Sequence, residues 1–199
     1  MVRTWRRAAL IAVLLVVAGV LVVAGLRTGS PAAPGSARPV HIETSGPRLK
    51  IPVLGVTAPL TEKSSTVQWD PFLGEEVRSF GVPDDMTSVV RWSDGPGFGE
   101  PGMAVVLGHT QVGGPGVFNG LGAMPADARV DVIDAGRTYR YRVSGRSLRI
   151  PKRDPRALSL ALEKAREHAD LALVTCDGPF DRSAGASMEN SIVFAEKIT

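Results

Sequence analysis

Cys176 is the only cysteine of the chain, and it stands where the apolar run Leu171-Ala172-Leu173-Val174 gives way, through Thr175, to Asp177-Gly178-Pro179. His109 has a similar setting, following Val105-Val106-Leu107-Gly108. Functional side chains often sit where a rigid strand yields to a loop. A thiol is a poor nucleophile until deprotonated, and a neighbouring imidazolium stabilises the thiolate. The pair therefore suits nucleophilic thiol chemistry, with a third group needed to donate to the developing oxyanion. The competing reading of Cys176 is a small buried hydrophobe, a common use of cysteine.

The remaining titratable residues offer less. His41 lies in a Pro-rich stretch, and His168 falls near the end of an amphipathic segment, where a helix dipole satisfies an imidazole without any catalytic role. Glu163 and Glu167 alternate with Lys164 and Arg166, a solvated helical face. No His/Cys/Asp/Glu cluster has the spacing of metal ligands, so neither a metal nor another cofactor is expected. Gly113-Gly114-Pro115-Gly116 lacks the strand–helix context and the Lys-Ser/Thr of a phosphate loop; it reads as a flexible turn beside His109.

The elements that must position the pair are short strands. Residues 103–107 form a continuous apolar run, as a buried strand does, and residues 49–56 begin with alternating apolar positions. Residues 130–133 and 138–143 read as two strands around a tight turn at 134–137, with Tyr139, Tyr141 and Val143 on one face and Arg140 and Arg142 on the other. Further strand signals lie at 171–175 and 191–195. One soluble helix is expected over about residues 155–169, capped by Asp154 with Pro155 at its first position. Regularly spaced strands with a single helix predict a mainly β fold, a barrel or a sandwich.

The N-terminus has a different character. Residues 8–26 carry no polar or charged side chain, about 19 residues and enough to cross a bilayer core. Arg3, Arg6 and Arg7 precede this run, which favours a cytoplasmic N-terminus. The run exceeds a signal-peptide core, so an uncleaved anchor is expected, with cleavage near residues 30–33 as the alternative. Residues 28–47 are rich in Pro, Gly, Ser and Ala and read as a spacer. The expected organisation is a cytoplasmic stub and anchor at 1–27, the spacer at 28–47 and a globular domain at 48–199. The net charge is +3, and the first 27 residues hold four arginines and no acid, which leaves −1 for the remainder. The basic pI thus reflects topology, and with aromatics at only 6% a nucleic-acid partner is excluded. With one cysteine no intramolecular disulfide can form, so the exported domain depends on its core.

Residues 171–176 resemble the Thr-Leu-x-Thr-Cys signature of sortases, Gly108-His109-Thr110 resembles their Gly-His segment, and residues 192–195 resemble their final apolar strand. Arg91-Trp92, Gly99-Glu100-Pro101-Gly102, Phe118-Asn119-Gly120-Leu121 and the stretch 175–182 together resemble class F sortases of high-GC Gram-positive bacteria. The resemblance implies an eight-stranded sortase β-barrel with one or two short helices, and His109 and Cys176 on adjacent strand ends. It implies a cysteine transpeptidase, with Cys176 attacking an LPxTG-like sorting signal of a surface protein to form a thioester and His109 exchanging protons. The acceptor would be an amine, such as a peptidoglycan precursor or a lysine of another protein. Thr175 would border the nucleophile and help to place substrate, and the helix would form part of the groove wall. The location implied is the cell membrane, with the catalytic domain outside.

One departure concerns arginine. Sortases place one on the last strand to steady substrate and oxyanion, but the matching stretch here is Ser187-Met188-Glu189-Asn190, with Met188 at the expected position. Arg182 is the only arginine after the cysteine and is the substitute candidate, set against a surface role; Asn190 is a second candidate donor. A catalytically impaired, membrane-tethered binding domain is the alternative if neither serves. Cell-wall L,D-transpeptidases also place His before Cys, but their Ser-x-Gly-Cys-x-Arg context is not matched by residues 174–178. Papain-like hydrolases fail on the order of the two residues.

Overall fold

The computed structural model describes residues 46–198. The expected anchor, and all but the last two residues of the expected spacer, lie outside these. Among the described residues no helix is long and apolar enough to cross a membrane.

Eleven strands and one helix make up the domain: β1 (Arg48–Ile51), β2 (Val56–Lys63), β3 (Thr66–Asp70), β4 (Glu75–Ser79), β5 (Val89–Trp92), β6 (Ala104–Gly108), β7 (Arg129–Asp134), β8 (Arg137–Val143), β9 (Leu148–Pro151), α1 (Ala157–Ala165), β10 (Leu171–Asp181) and β11 (Ala186–Lys197). The main sheet runs β10-β6-β5-β2-β1-β7-β8-β11-β9, and β10 also pairs with β11. That pairing closes eight of the strands into a ring and leaves β9 attached to β11 outside it. The domain is therefore mainly β, an eight-stranded barrel. Closure removes the exposed sheet edges an open sheet of this length would carry.

Local chemistry accounts for several reversals. Residues 49–56 do not form the single extended strand their pattern suggests. Pro52 starts a short 3-10 turn over Pro52–Leu54, and Gly55, at φ 65°, takes the left-handed position that ends it, so the chain folds back as the β1–β2 hairpin. The β7–β8 turn is as expected: Ala135 and Gly136 both have positive φ, the mirror-image turn whose twist suits a hairpin. The β3–β4 hairpin had no counterpart among the expected strands. Asp70 nucleates its turn, its Oδ1 accepting from Phe72 N–H at 2.8 Å and Leu73 N–H at 3.2 Å.

Apolar layers fill both faces of the ring where it matters. Inside, Leu49, Ile51, Val106, Phe118, Leu171, Leu173 and Val193 are among the buried core. Outside, Val105, Leu107, Ala172, Val174 and Ile192 pack with Leu162 of α1. Strands β6 and β10 are thus covered on both faces, which is why residues 103–107 and 171–175 read as unbroken runs instead of alternating ones. Helix α1 is shorter than expected. Asp154 Oδ1 does accept from Arg156 N–H at 3.0 Å, but regular helix begins at Ala157. After Ala165 the bonds tighten to i−3, from Arg166 N–H to Glu163 O and from His168 N–H to Ala165 O, so residues 166–168 form a turn.

Candidate active site

Strands β6 and β10 are parallel neighbours, with Ala104 opposite Leu171 and Leu107 opposite Val174. Two residues further along each strand stand His109 and Cys176, at the same end of the ring. Both follow the parity of the outer-face residues, Val105 and Leu107 on one strand and Ala172 and Val174 on the other. The intervening residues, Gly108 and Thr175, follow the inner face.

The strand ends are tied by two threonines. Thr175, buried, donates its hydroxyl to the Gly108 carbonyl at 2.8 Å, and Thr110 donates to the Cys176 carbonyl at 2.8 Å. The Thr175 hydroxyl is thereby committed to the backbone next to His109. Glycine at 108 is dictated by packing, because a Cβ there would lie 2.6 Å from a ring carbon of Phe118. Beyond His109 the glycine-rich turn is braced by Asn119, whose Oδ1 accepts from Gln111 N–H and whose Nδ2 donates to the Gln111 and Gly114 carbonyls.

The His109 ring lies with Nε2 2.8 Å from the Pro83 carbonyl oxygen. A carbonyl only accepts, so this nitrogen carries the hydrogen and Nδ1 is left for proton exchange. Two residues beyond Pro83, Asp85 accepts hydrogen bonds from the hydroxyls and N–H groups of both Thr87 and Ser88 at 2.7–2.8 Å. Those bonds, the Ser88 hydroxyl foremost and Thr87 next, hold the Asp85 carboxyl well below the usual carboxylate range.

The Cys176 sulfur, half-buried, accepts a hydrogen bond from Lys152 Nζ at 3.1 Å. Lys152 directly follows β9, and its N–H donates to the Met188 carbonyl of β11 at 2.9 Å. Asn190 is the ladder partner of Cys176 on β11 and lines the same cleft. Arg182 does not join them: it is exposed in the turn between β10 and β11 and is absent from the cleft lining. The expectation that Arg182 acts as a donor thus finds no geometric support, because the bulge between Asp177 and Phe180 and the remainder of β10 carry the chain past the cleft first.

The cleft has a volume of about 640 Å³ and is mainly apolar. Trp69 and Phe72 of the β3–β4 hairpin, Phe80, Trp92 and Leu158 of α1 provide much of its wall, with His109, Lys152, Cys176 and Asn190 among its polar groups. Trp92 stands edge-on to Phe80 with ring centroids 5.0 Å apart and donates from its indole to Ser65 Oγ at 2.9 Å. Arg91 bonds Glu62 and the carbonyls of Trp92, Gly95 and Pro96, and so shapes the loop after β5. An apolar trough with a few convergent polar groups suits an extended peptide segment.

Lys152 and the β3–β4 hairpin were not singled out from the sequence. The hairpin left a signal in the alternation of residues 66–69 and the Asp70-Pro71 turn. Lys152 left none, because Arg149, Lys152 and Arg153 are close in sequence and only the fold separates their partners.

Comparison with known proteins places this geometry. The domain is similar in structure to sortase C-1 from Actinomyces oris (18% identity, 77% of this chain and 73% of that one, TM-score 0.52). It is similar also to sortase A from Listeria monocytogenes (12% identity, 77% and 86% of the two chains, TM-score 0.54). Sortase A from Corynebacterium diphtheriae shares the fold at 14% identity over 77% of this chain and 60% of that one, with a TM-score of 0.53. Among curated proteins none matches by sequence. The family model of the sortase domain matches residues 49–198, so the chain belongs to the sortase family of cysteine transpeptidases.

Proposed function

We propose that this protein is a membrane-anchored, class F-like sortase that cleaves an LPxTG-like sorting signal and transfers the surface protein to an amine acceptor of the cell wall. The observation that carries the reading is the common register of His109 and Cys176 in the lining of an apolar cleft. The Cys176 sulfur, its proton passed to His109, attacks the carbonyl carbon of the Thr–Gly bond. The C–N bond breaks, the leaving amine takes the proton back from the imidazole, and an acyl thioester remains. An acceptor amine then attacks the thioester, the C–S bond breaks, and His109 takes the proton that the amine gives up. The class F assignment and the identity of the acceptor, a peptidoglycan precursor or a protein lysine, rest on the sequence resemblance. Membrane attachment rests on the apolar run at 8–26; full-length protein retained in membranes after alkaline carbonate extraction would support it, and quantitative release would overturn it.

The deciding experiment incubates the full-length protein, in detergent, with an LPxTG peptide and triglycine. Wild type is expected to form a peptide–triglycine product and an acyl-enzyme visible by intact mass. Cys176→Ala and His109→Ala are expected to lose at least ~10²-fold in rate. Equal turnover by Cys176→Ala would overturn the enzymatic reading. A second reading, a tethered binding domain without turnover, is favoured by the exposed position of Arg182 and by Met188 on β11; peptide binding with no acyl-enzyme in wild type would select it.

A further inference from the structure

Arg149 lies within β9 and Lys152 and Arg153 directly follow it, and the fold gives each of these three cations a different partner. Arg149 reaches carboxylates, with Nε 3.4 Å from Asp177 Oδ2 and Nη1 3.9 Å from Glu189 Oε2. Arg153 pairs with Asp181 at 3.4 Å and lies over the Phe72 ring at 5.8 Å. Lys152 Nζ alone turns to the sulfur of Cys176, at 3.1 Å, and among the described residues it makes no ion pair with a carboxylate. The nearby acids Asp177 and Glu189 have Arg149 as their ion-pair partner, at 3.4 and 3.9 Å, rather than Lys152.

The backbone explains how Lys152 gets there. Pro151 is opposite Glu189 in the β9–β11 ladder, and the next bond joins Lys152 N–H to the Met188 carbonyl. Lys152 is therefore the cross-strand neighbour of Met188, the position where the sequence resemblance leads one to expect arginine. The positive charge missing from β11 arrives from the strand beside it. Half-burial of both Lys152 and Cys176 in a largely apolar cleft strengthens their interaction relative to the same pair in open water.

We infer that Lys152 is a catalytic residue of this protein, the cation that holds the Cys176 sulfur as the reactive thiolate. The inference rests on the proposed role of Cys176 as nucleophile. No bond to Nζ forms or breaks: the thiol proton leaves to His109, and the ammonium keeps its three hydrogens while one of them points at the sulfur.

The test is chosen so that it does not depend on any peptide substrate. Full-length protein in detergent is alkylated at pH 7 with iodoacetamide, a neutral reagent, and the rate of mass gain at its one cysteine is measured. Wild type is compared with Lys152→Met, Lys152→Gln and Lys152→Arg, each first checked for cooperative unfolding. Loss of the cation is expected to slow alkylation about tenfold or more in Met and in Gln, since a nearby charge commonly changes the thiolate fraction by that much. Lys152→Arg is expected to remain within about threefold of wild type, because it keeps the charge. Alkylation of the folded Met or Gln variant at the wild-type rate would overturn the inference, as would an Arg variant as slow as both. The failure of all these proteins to cleave an LPxTG peptide would overturn the function proposed above and leave this result standing. Two neutral variants guard against one of them failing to fold.

Discussion

His109 stands two residues past Leu107 and Cys176 two residues past Val174, and Leu107 and Val174 are partners in the parallel β6–β10 ladder. The 67-residue separation of the two side chains in sequence is thus the register of the ladder itself. A shift by one residue would turn one of the pair to the opposite face of its strand. The register is held by burial on both faces and is completed by the two threonine bonds at the strand ends. The candidate site is therefore carried by the rigid part of the fold and only finished by loops.

Thr175→Val tests that completion. The substitution keeps the shape but removes the donor to the Gly108 carbonyl in a buried setting. A cost of about 1–3 kcal/mol is expected for the unmade bond. For a domain of this size each kcal/mol lowers Tm by roughly 2–4 °C. The kcat/KM is expected to fall about tenfold as the strand ends lose alignment, since small misplacements of reacting groups cost that much or more. Thr175→Ser should restore most of both. Calorimetry and the peptide assay read the two effects, and a Val variant with wild-type Tm and turnover would show that the bond is dispensable.

Trp69 addresses the cleft wall. It is 63% exposed on the β3–β4 hairpin yet lines the cleft, so it contributes little to the core and much to the apolar surface a peptide would meet. Trp69→Ala is expected to raise KM several-fold, roughly the value of one apolar contact, with kcat nearly unchanged. Its Tm should stay within about 2 °C of wild type, as exposed substitutions usually do. A fall in kcat with KM unchanged would assign the hairpin a part in the chemistry instead.

The Asp85 turn gives a pH-dependent prediction with a definite sign. The carboxyl is held below its usual range by the Ser88 hydroxyl first and Thr87 next. A depressed carboxylate contributes stability that is fully present above its unfolded pKa, about 3.9, and is lost as pH falls through the folded value. Asp85→Ala should therefore unfold at a lower temperature than wild type at pH 7, and the gap should narrow as pH falls below about 4. Turnover at pH 7 should fall too, because Asp85 stands two residues from Pro83, whose carbonyl meets His109. Thermal scans from pH 7 to pH 2.5 read the first effect. A gap that widens in acid would refute the account.

What the sequence by itself determined follows from local rules. Unbroken apolar runs marked the strands buried on both faces, a tight turn at 134–137 marked the β7–β8 hairpin, and the single Cys and one of the three His, each at the end of an apolar run, marked the candidate pair. Pro52 and Gly55 were equally visible, yet their effect depended on β1 and β2 finding each other, and alternation alone read the segment as one strand. Partnership was decided only by the tertiary structure. Parallel pairing of segments 67 residues apart brought His109 beside Cys176, and antiparallel pairing of β9 with β11 selected Lys152 from among three nearby cations. Arg182 looked closest to the cysteine in sequence and ended in an exposed turn. A cation's role depends on what lies within a few ångströms of its tip. That distance is set by non-local ladders, which no local pattern of residues encodes.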